Sequence, residues 1–243
     1  LGVVHRFIGK GLLIVKNGVR VLAIADLHLG YDQAIRECGV FVPGRGVFEQ
    51  TMDDLKELFN KLGRVDYVVL LGDVKHVFGT ILPDERKEIL SLFDYLLERS
   101  RRVVVIKGNH DVTLEQVTRA RDIEIMDYWV WEGYCFLHGD RDFDVLYRTE
   151  IKTWVVGHAH PAIELSDGIK HERYKCFLCG SFKNKEIIVM PSLFFKSVGI
   201  DVLTQGLGLA WPIDVMRCYV YIVNGGETPL NFGTGQNIKS RSS

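Results

Sequence analysis

The chain has 243 residues, 47% of them hydrophobic, which is enough to bury a substantial core in one domain, or in one domain with a small lobe. Its formal net charge is −1 and its pI about 6.8, so the global balance points to neither a nucleic-acid nor a membrane partner. No apolar run approaches the ~20 residues of a membrane span, and the N-terminus lacks the apolar core and cleavage site of a secretory signal. A cytoplasmic protein is expected, with a processed or trimmed start because the first residue is Leu1. The five cysteines (38, 135, 176, 179 and 218) are odd in number and scattered through apolar segments, which suits a reducing compartment. Cys176 and Cys179 form a single CxxC with no second pair to complete a zinc ribbon, and they sit in a strand-like stretch, so two small residues in a sheet are expected.

In chain order, residues 12–15 and 19–25 are apolar runs joined by Asn17-Gly18, a two-residue hairpin signal. The second run ends in Asp26-Leu27-His28. Residues 31–46 are irregular, with Pro43-Gly44 near their end, and are expected to form a loop. Phe48, Met52, Leu55, Leu58, Phe59 and Leu62 then recur at helical spacing up to Gly63. Strand 66–71 ends at Gly72-Asp73. A second helix spans 84–100 behind Pro83, and strand 102–106 runs into Gly108-Asn109-His110-Asp111. A short helix is expected at 113–121. Alternating strands and helices, with strands apolar on both faces, predict helices packed on a partly parallel sheet.

The second half reads mainly as strands: 123–125, 128–131, 134–137, 153–156, 162–165, 172–179, 186–190 and 216–223. Helical pieces are expected near 143–149 and 196–206. Residues 1–223 are read as a single domain. The stretch 224–243, rich in Gly, Asn, Ser and Thr, is read as a flexible C-terminal tail. His138 follows the strand 134–137, and Gly157-His158-Ala159-His160 follows 153–156.

Five apolar strands therefore end in metal-type ligands. Taken alone, Asp26 would be a turn or cap residue and His138 a core histidine; their recurrence at five strand ends argues otherwise. Parallel strands gather their carboxyl ends at one sheet edge, where binding sites form. Residues two apart in an extended segment point the same way, so Asp26 and His28 can face one site, as can His158 and His160. Carboxylates (Asp26, Asp73), an amide (Asn109) and imidazoles (His28, His138, His158, His160) together suit Mn²⁺, Fe or Zn²⁺. Seven side chains exceed one four-coordinate ion. With one carboxylate shared they serve two ions, the arrangement of a two-metal hydrolytic centre.

This order of motifs resembles that of calcineurin-like metallophosphoesterases over residues 26–160, and most of all the small SbcD-related, archaeal-type phosphoesterases, which also carry a Gly-Asp-Val-Lys-His stretch such as 72–76. The resemblance implies a four-layer α/β/β/α sandwich with two mixed β-sheets and the metal site at the strand C-terminal ends. It implies Asp26, His28, Asp73 and His160 on one ion, and Asp73, Asn109, His138 and His158 on the other. His110 would be the general acid, Asp111 would orient it, and a metal-bridging water or hydroxide would attack phosphorus in line. Homodimers are common among such proteins. Lys75 and His76 belong to the resemblance, but their part in it does not follow from the sequence.

A dinuclear, manganese-type phosphodiesterase, acting as a nuclease or on nucleotides, is the reading that follows, with DNA, RNA or a nucleotide as substrate. A phosphomonoesterase on a metabolite or phosphoprotein would use the same ligands, and a silent scaffold of the same fold would be expected to have lost some of them. Arg99, Arg101 and Arg102 are read as a helix end rather than a nucleic-acid patch. Trp129 and Trp131 are read as core.

Overall fold

The computed structural model describes residues 4–41, 44–166, 170–225 and 228–241; Pro43 and parts of the expected tail (226–227, 242–243) lie outside them. In chain order the elements are β1 (Val4–Ile8), β2 (Gly11–Lys16), β3 (Val19–Ile24), α1 (Tyr31–Glu37), α2 (Val47–Leu62), β4 (Val65–Leu70), α3 (Pro83–Arg99), β5 (Ser100–Ile106) and α4 (Glu115–Thr118). There follow β6 (Glu124–Met126), β7 (Tyr128–Trp131), β8 (Tyr134–Leu137), β9 (Thr153–Val156), β10 (Pro161–Ser166), β11 (His171–Phe182), β12 (Lys185–Val189), β13 (Ile200–Asp201), β14 (Tyr219–Ile222), β15 (Leu230–Thr234) and α5 (Gly235–Arg241).

Two mixed sheets result. The first runs β1-β2-β3-β4-β5-β6, antiparallel up to β3 and parallel from there on. Crossover helices α2 and α3 make that parallel pairing possible, because strands running the same way need a long return. The second sheet runs β13-β10-β11-β12-β9-β8-β7, with β14 and β15 continuing from β11. Within it β8, β9 and β12 are parallel.

Side-chain parity sorts the core into layers. Leu22, Ile24, Val68, Leu70, Val103 and Val105 face the helices, where they meet Leu55, Phe59, Leu92 and Phe93. Val21, Ala23, Val69, Leu71, Val104 and Ile106 point inward instead, against Phe136, Val155, Phe177 and Ile188 of the second sheet. The outer face of that sheet buries Leu137, Trp154, Val156 and Leu178 beneath Leu146, Trp211 and Ile238. Cys176 belongs to this outer layer while Cys179 packs on the inner one, so the CxxC thiols point to opposite faces. Trp129 and Trp131 lie against the inner layer as well.

Several expectations are corrected. Residues 31–37 form helix α1, not loop. It is too short to show a period, and contacts with α3 hold it: Glu88 accepts from Gly30 N (2.9 Å), Gln33 accepts from Asp84 N (2.9 Å), and Arg36 donates to Asp84 (3.1 Å). No helix spans 196–206. Ile200 and Asp201 pair with Pro161 and Ala162 as β13, and the Asp201 carboxylate then turns the chain by accepting from Thr204 Oγ1 at 2.6 Å. The piece near 143–149 is a 3₁₀ turn, 144–147, and that at 113–121 is α4 followed by a 3₁₀ turn. The strand expected from 216 begins at Tyr219, because the Asp214 carboxylate caps a turn at Met216 N (3.1 Å). The expected tail also carries structure: β15 pairs with β14, and Phe232 and Ile238 pack on the outer core.

Among the described residues no helix is long and apolar enough to cross a membrane.

Glu88, which ties α3 to the start of α1, is pushed up to about 7 by burial, with Asp32, Glu49 and Asp84 adding to the shift and the Gly30 amide opposing it. A carboxyl raised in the folded state stabilises it only while neutral, so this contribution is lost as pH rises from the ordinary value of 4.5 through about 7. Glu88→Gln should therefore gain thermal stability on the parent between pH 5 and pH 8, read as the difference in Tm at the two pH values. An unchanged difference would contradict the assignment.

Candidate metal centre

Strands β3, β4, β5, β8 and β9 end together, and the residues beyond them interlock. Asp26 N donates to Gly72 O (3.3 Å), while Leu27 N and His28 N donate to Asp73 O (3.0 and 2.9 Å). Gly157 N donates to His138 O (2.9 Å), and His158 N is shared between both oxygens of Asp26 (3.1 Å each). His110 N donates to Asp73 Oδ1 at 3.0 Å, leaving Oδ2 for the site.

The backbone here is strained in a specific way. Asp26, His28, Asp73, His158 and His160 all have positive φ, between 44° and 65°. Side chains bearing a Cβ enter this left-handed region at about 1–3 kcal/mol each, and such residues gather at functional sites. At Gly72 (φ 85°) a Cβ would come within 2.5 Å of His138 Nδ1, and at Gly108 it would run into the Asp73 amide nitrogen. The glycines of the Gly-Asp and Gly-Asn-His motifs are thus there for close approach.

Asp73 Oδ2 is the hub. It lies 3.4 Å from His138 Nε2, 3.8 Å from His28 Nε2 and 3.9 Å from His110 Nε2. On one side, His138 Nε2 is 3.1 Å from Asn109 Oδ1 and 3.0 Å from His158 Nδ1. On the other, His28 Nε2 is 3.4 Å from His160 Nε2, which is 3.7 Å from Asp26 Oδ1. All seven expected ligands are therefore brought together, in two groups that meet at Asp73. Atoms bonded to one ion at 2.0–2.2 Å stand about 3–3.5 Å from one another, close to these separations.

The charges fit a divalent cation. Burial would raise both carboxyls, yet the imidazoles facing them outweigh it, and Asp26 and Asp73 are held below the usual carboxylate range. For His138 burial acts downward, but Asp73, then Asp26 and the Leu71 carbonyl, push it up to about 10. The carboxylates thus call for positive charge among them, which a metal ion would supply in place of that proton. His138 Nδ1–H donates to Leu71 O (2.7 Å), which aims Nε2 inward as a ligand requires. Burial holds His28 down at about 3, so its ring keeps a lone pair.

Asp111 corrects an expectation. Its buried carboxylate accepts from the backbone N–H groups of Gly108 (3.0 Å), Lys75 (3.2 Å) and Val74 (3.4 Å), which splices the two glycine loops together. Burial, then Asp73, pushes it up to about 6. The side chain turns back under its own loop, so it does not orient His110. That task falls to the His76 carbonyl, which accepts from His110 Nδ1 at 2.5 Å.

Sequence reasoning missed the support around this centre. His76 Nδ1 lies 3.4 Å from His28 Nδ1, and ligand-type atoms of His28, His76 and His110 lie within 4.8 Å of one another, as do those of Asp73, His138 and His158. Lys75 is buried and donates to His110 O (3.2 Å). Glu85, also buried, accepts from His76 N (3.0 Å) and Val77 N (3.1 Å) and so fixes their loop. The Phe194 ring sits 5.1 Å from His28 and 5.0 Å from Tyr31. Of these only Lys75 and His76 carried any signal, by their place in the resemblance.

The family model for calcineurin-like phosphoesterases matches residues 19–160, more than half of the chain, and the chain belongs to that family. Among solved structures it is similar to nuclease MPE of Pseudomonas putida, with 21% identity and a TM-score of 0.60, covering 94% of this chain and 100% of that one. Vps29 of Entamoeba histolytica complexed with Zn²⁺ matches at 16% identity with a TM-score of 0.39, covering 88% of this chain and 98% of the other. No curated protein matches the sequence.

Removal of the hub should be felt by both groups. Asp73→Ala is expected to lose bound metal almost completely on gel filtration, and Gly108→Ala to retain less than the parent because Asp73 must shift. Full metal content in Asp73→Ala, measured by elemental analysis, would contradict the shared-ligand geometry.

Proposed function

We propose that this calcineurin-like phosphoesterase hydrolyses phosphodiester bonds, as a nuclease or nucleotide phosphodiesterase, with two divalent ions as cofactor. The observation that carries the reading is Asp73 Oδ2, placed between two groups of ligand atoms and facing His110. Asp26, His28, Asp73 and His160 would hold one ion, and Asp73, Asn109, His138 and His158 the other. The mixed carboxylate, amide and imidazole set favours Mn²⁺, with Fe or Zn²⁺ as alternatives. When bound, the ions supply Lewis acidity, lowering the pKa of water and offsetting phosphoryl charge.

The chain's own residues do the rest. The His76 carbonyl holds His110 Nδ1–H, so in its protonated form the ring presents Nε2–H to the leaving oxygen. A water attacks phosphorus in line with that oxygen. The P–O bond breaks, and the His110 proton passes to the departing alkoxide. Asp111 keeps the loop that carries Asn109 and His110 against the loop of Asp73.

Two features support a diester over a monoester. Lys75 turns its ammonium onto the His110 carbonyl rather than offering a further charge to a dianion. The lip beside His110 is apolar, being the exposed ring of Phe78. The similarity to a solved nuclease agrees with this choice. A cytoplasmic setting agrees with the free cysteines.

Metal-stripped protein with Mn²⁺ restored should hydrolyse a chromogenic phosphodiester in preference to the matching phosphomonoester. The opposite preference would make it a monoesterase, and silence on both with metal bound would overturn the enzyme reading. His110→Ala should keep its metal and lose roughly 10²–10⁴-fold in rate on a substrate with a poor leaving group. Normal turnover would remove His110 from the mechanism.

A further inference from the structure

Phe78 is an aromatic residue where the fold gives no reason for one. It is 60% exposed, and its ring centroid lies 3.8 Å from that of His110 with the planes inclined by 35°. A single exposed hydrophobic side chain is unremarkable on a protein surface. Phe78 is distinguished by being both exposed and held fast against the ring assigned to proton transfer.

Its loop is rigid for identifiable reasons. Glu85 Oε1 accepts from His76 N and Val77 N (3.0 and 3.1 Å), and Oε2 accepts from Leu82 N (3.0 Å). Thr80 N closes a tight turn on Phe78 O at 3.0 Å. His110 is fixed in turn by the His76 carbonyl of the same loop. Phenyl and imidazole therefore form one preset unit. One face of the phenyl is covered by His110, and most of the remaining ring is open to solvent. Val112, 59% exposed and two residues past His110, adds another apolar side chain on the neighbouring loop.

Resting on the diester reading above, we propose that Phe78 is the stacking platform for the base of the leaving nucleotide, and so selects substrates with a planar ring on that side. The position follows from the chemistry. His110 hands its proton to the leaving oxygen, so the group bonded to that oxygen lies beside His110 and hence beside Phe78. In the step a P–O bond to water forms, the P–O bond to the leaving sugar breaks, and the proton on His110 Nε2 ends on the leaving oxygen. Nothing is oxidised or reduced. An exposed phenyl offers a base no hydrogen bonds, only a face, so it reads the presence of a base and not its identity. Stacking of this kind places the scissile phosphate relative to His110 and favours productive binding.

The test compares a deoxydinucleotide with the same diester lacking the base on its leaving nucleoside, using Mn²⁺-loaded parent, Phe78→Ala and Phe78→Trp. The parent should favour the base-bearing diester by about 10-fold in kcat/KM. Phe78→Ala should bring that ratio close to one, mainly through KM, while Phe78→Trp keeps it and all three proteins carry the same metal content. Binding of the released nucleoside, followed by fluorescence or calorimetry, should weaken in parallel in Phe78→Ala. A ratio that Phe78→Ala leaves unchanged overturns the stacking role and leaves the diester reading standing. A parent that cleaves neither diester overturns both.

Discussion

Everything in this molecule depends on five strand ends being forced to one place. Two sheets lie face to face with their parallel strands pointing to a common edge, and the residues just past β3, β4, β5, β8 and β9 have only the space left by one another. Left-handed backbone at Asp26, His28, Asp73, His158 and His160 is the local consequence. A chain continuing straight would carry these side chains past the site, whereas a left-handed residue turns it sharply and swings the side chain inward. Strain of that kind persists only when surrounding structure over-determines it. Here the interlocked backbone amides, the close-fitting glycines at 72 and 108 and the buried carboxylate of Asp111 do so.

Charge balance is the second constraint and follows from the first. Convergence places Asp26 and Asp73 in the protein interior, with imidazoles as their close neighbours. Buried carboxylates need positive charge or several donors. Part of that demand is met by backbone amides, such as His158 N on Asp26 and His110 N on Asp73. The rest shows itself in the upward push on His138. The support around the site divides the remaining tasks: Glu85 stiffens the loop after Asp73, His76 touches a ligand with its ring and His110 with its carbonyl, and Phe194 backs His28. A metal centre and an acid are thereby fixed by one short segment, 73–78, which also presents the open ring of Phe78.

Much of this was legible in the sequence, because strands buried on both faces leave unmistakable apolar runs, and because ligands at their ends recur in a pattern. Fold class and the convergence of Asp26, His28, Asp73, Asn109, His138, His158 and His160 could be read that way. What escaped depends on tertiary context. Helix α1 has no capping side chain and only seven residues, so its period is invisible. The apolar residues of 196–206 imitate a helix, but Ile200 and Asp201 find a strand partner in β10. Gly- and Asn-rich composition concealed β15 and α5, which are held by Phe232 and Ile238 docking on the outer core. Asp111 was misread because adjacency in sequence suggested a partner, His110, whereas a sharp turn sends the two side chains different ways. Phe78 and Glu85 fall outside every motif and acquire meaning only from what they touch.

The measurement that tests the central claim most directly is anomalous diffraction at the manganese edge from crystals grown or soaked with Mn²⁺. Two peaks about 3.5–4 Å apart, with Asp73 between them, are the predicted result. A single peak, or density confined to His28, His76 and His110, would contradict the two-ion centre.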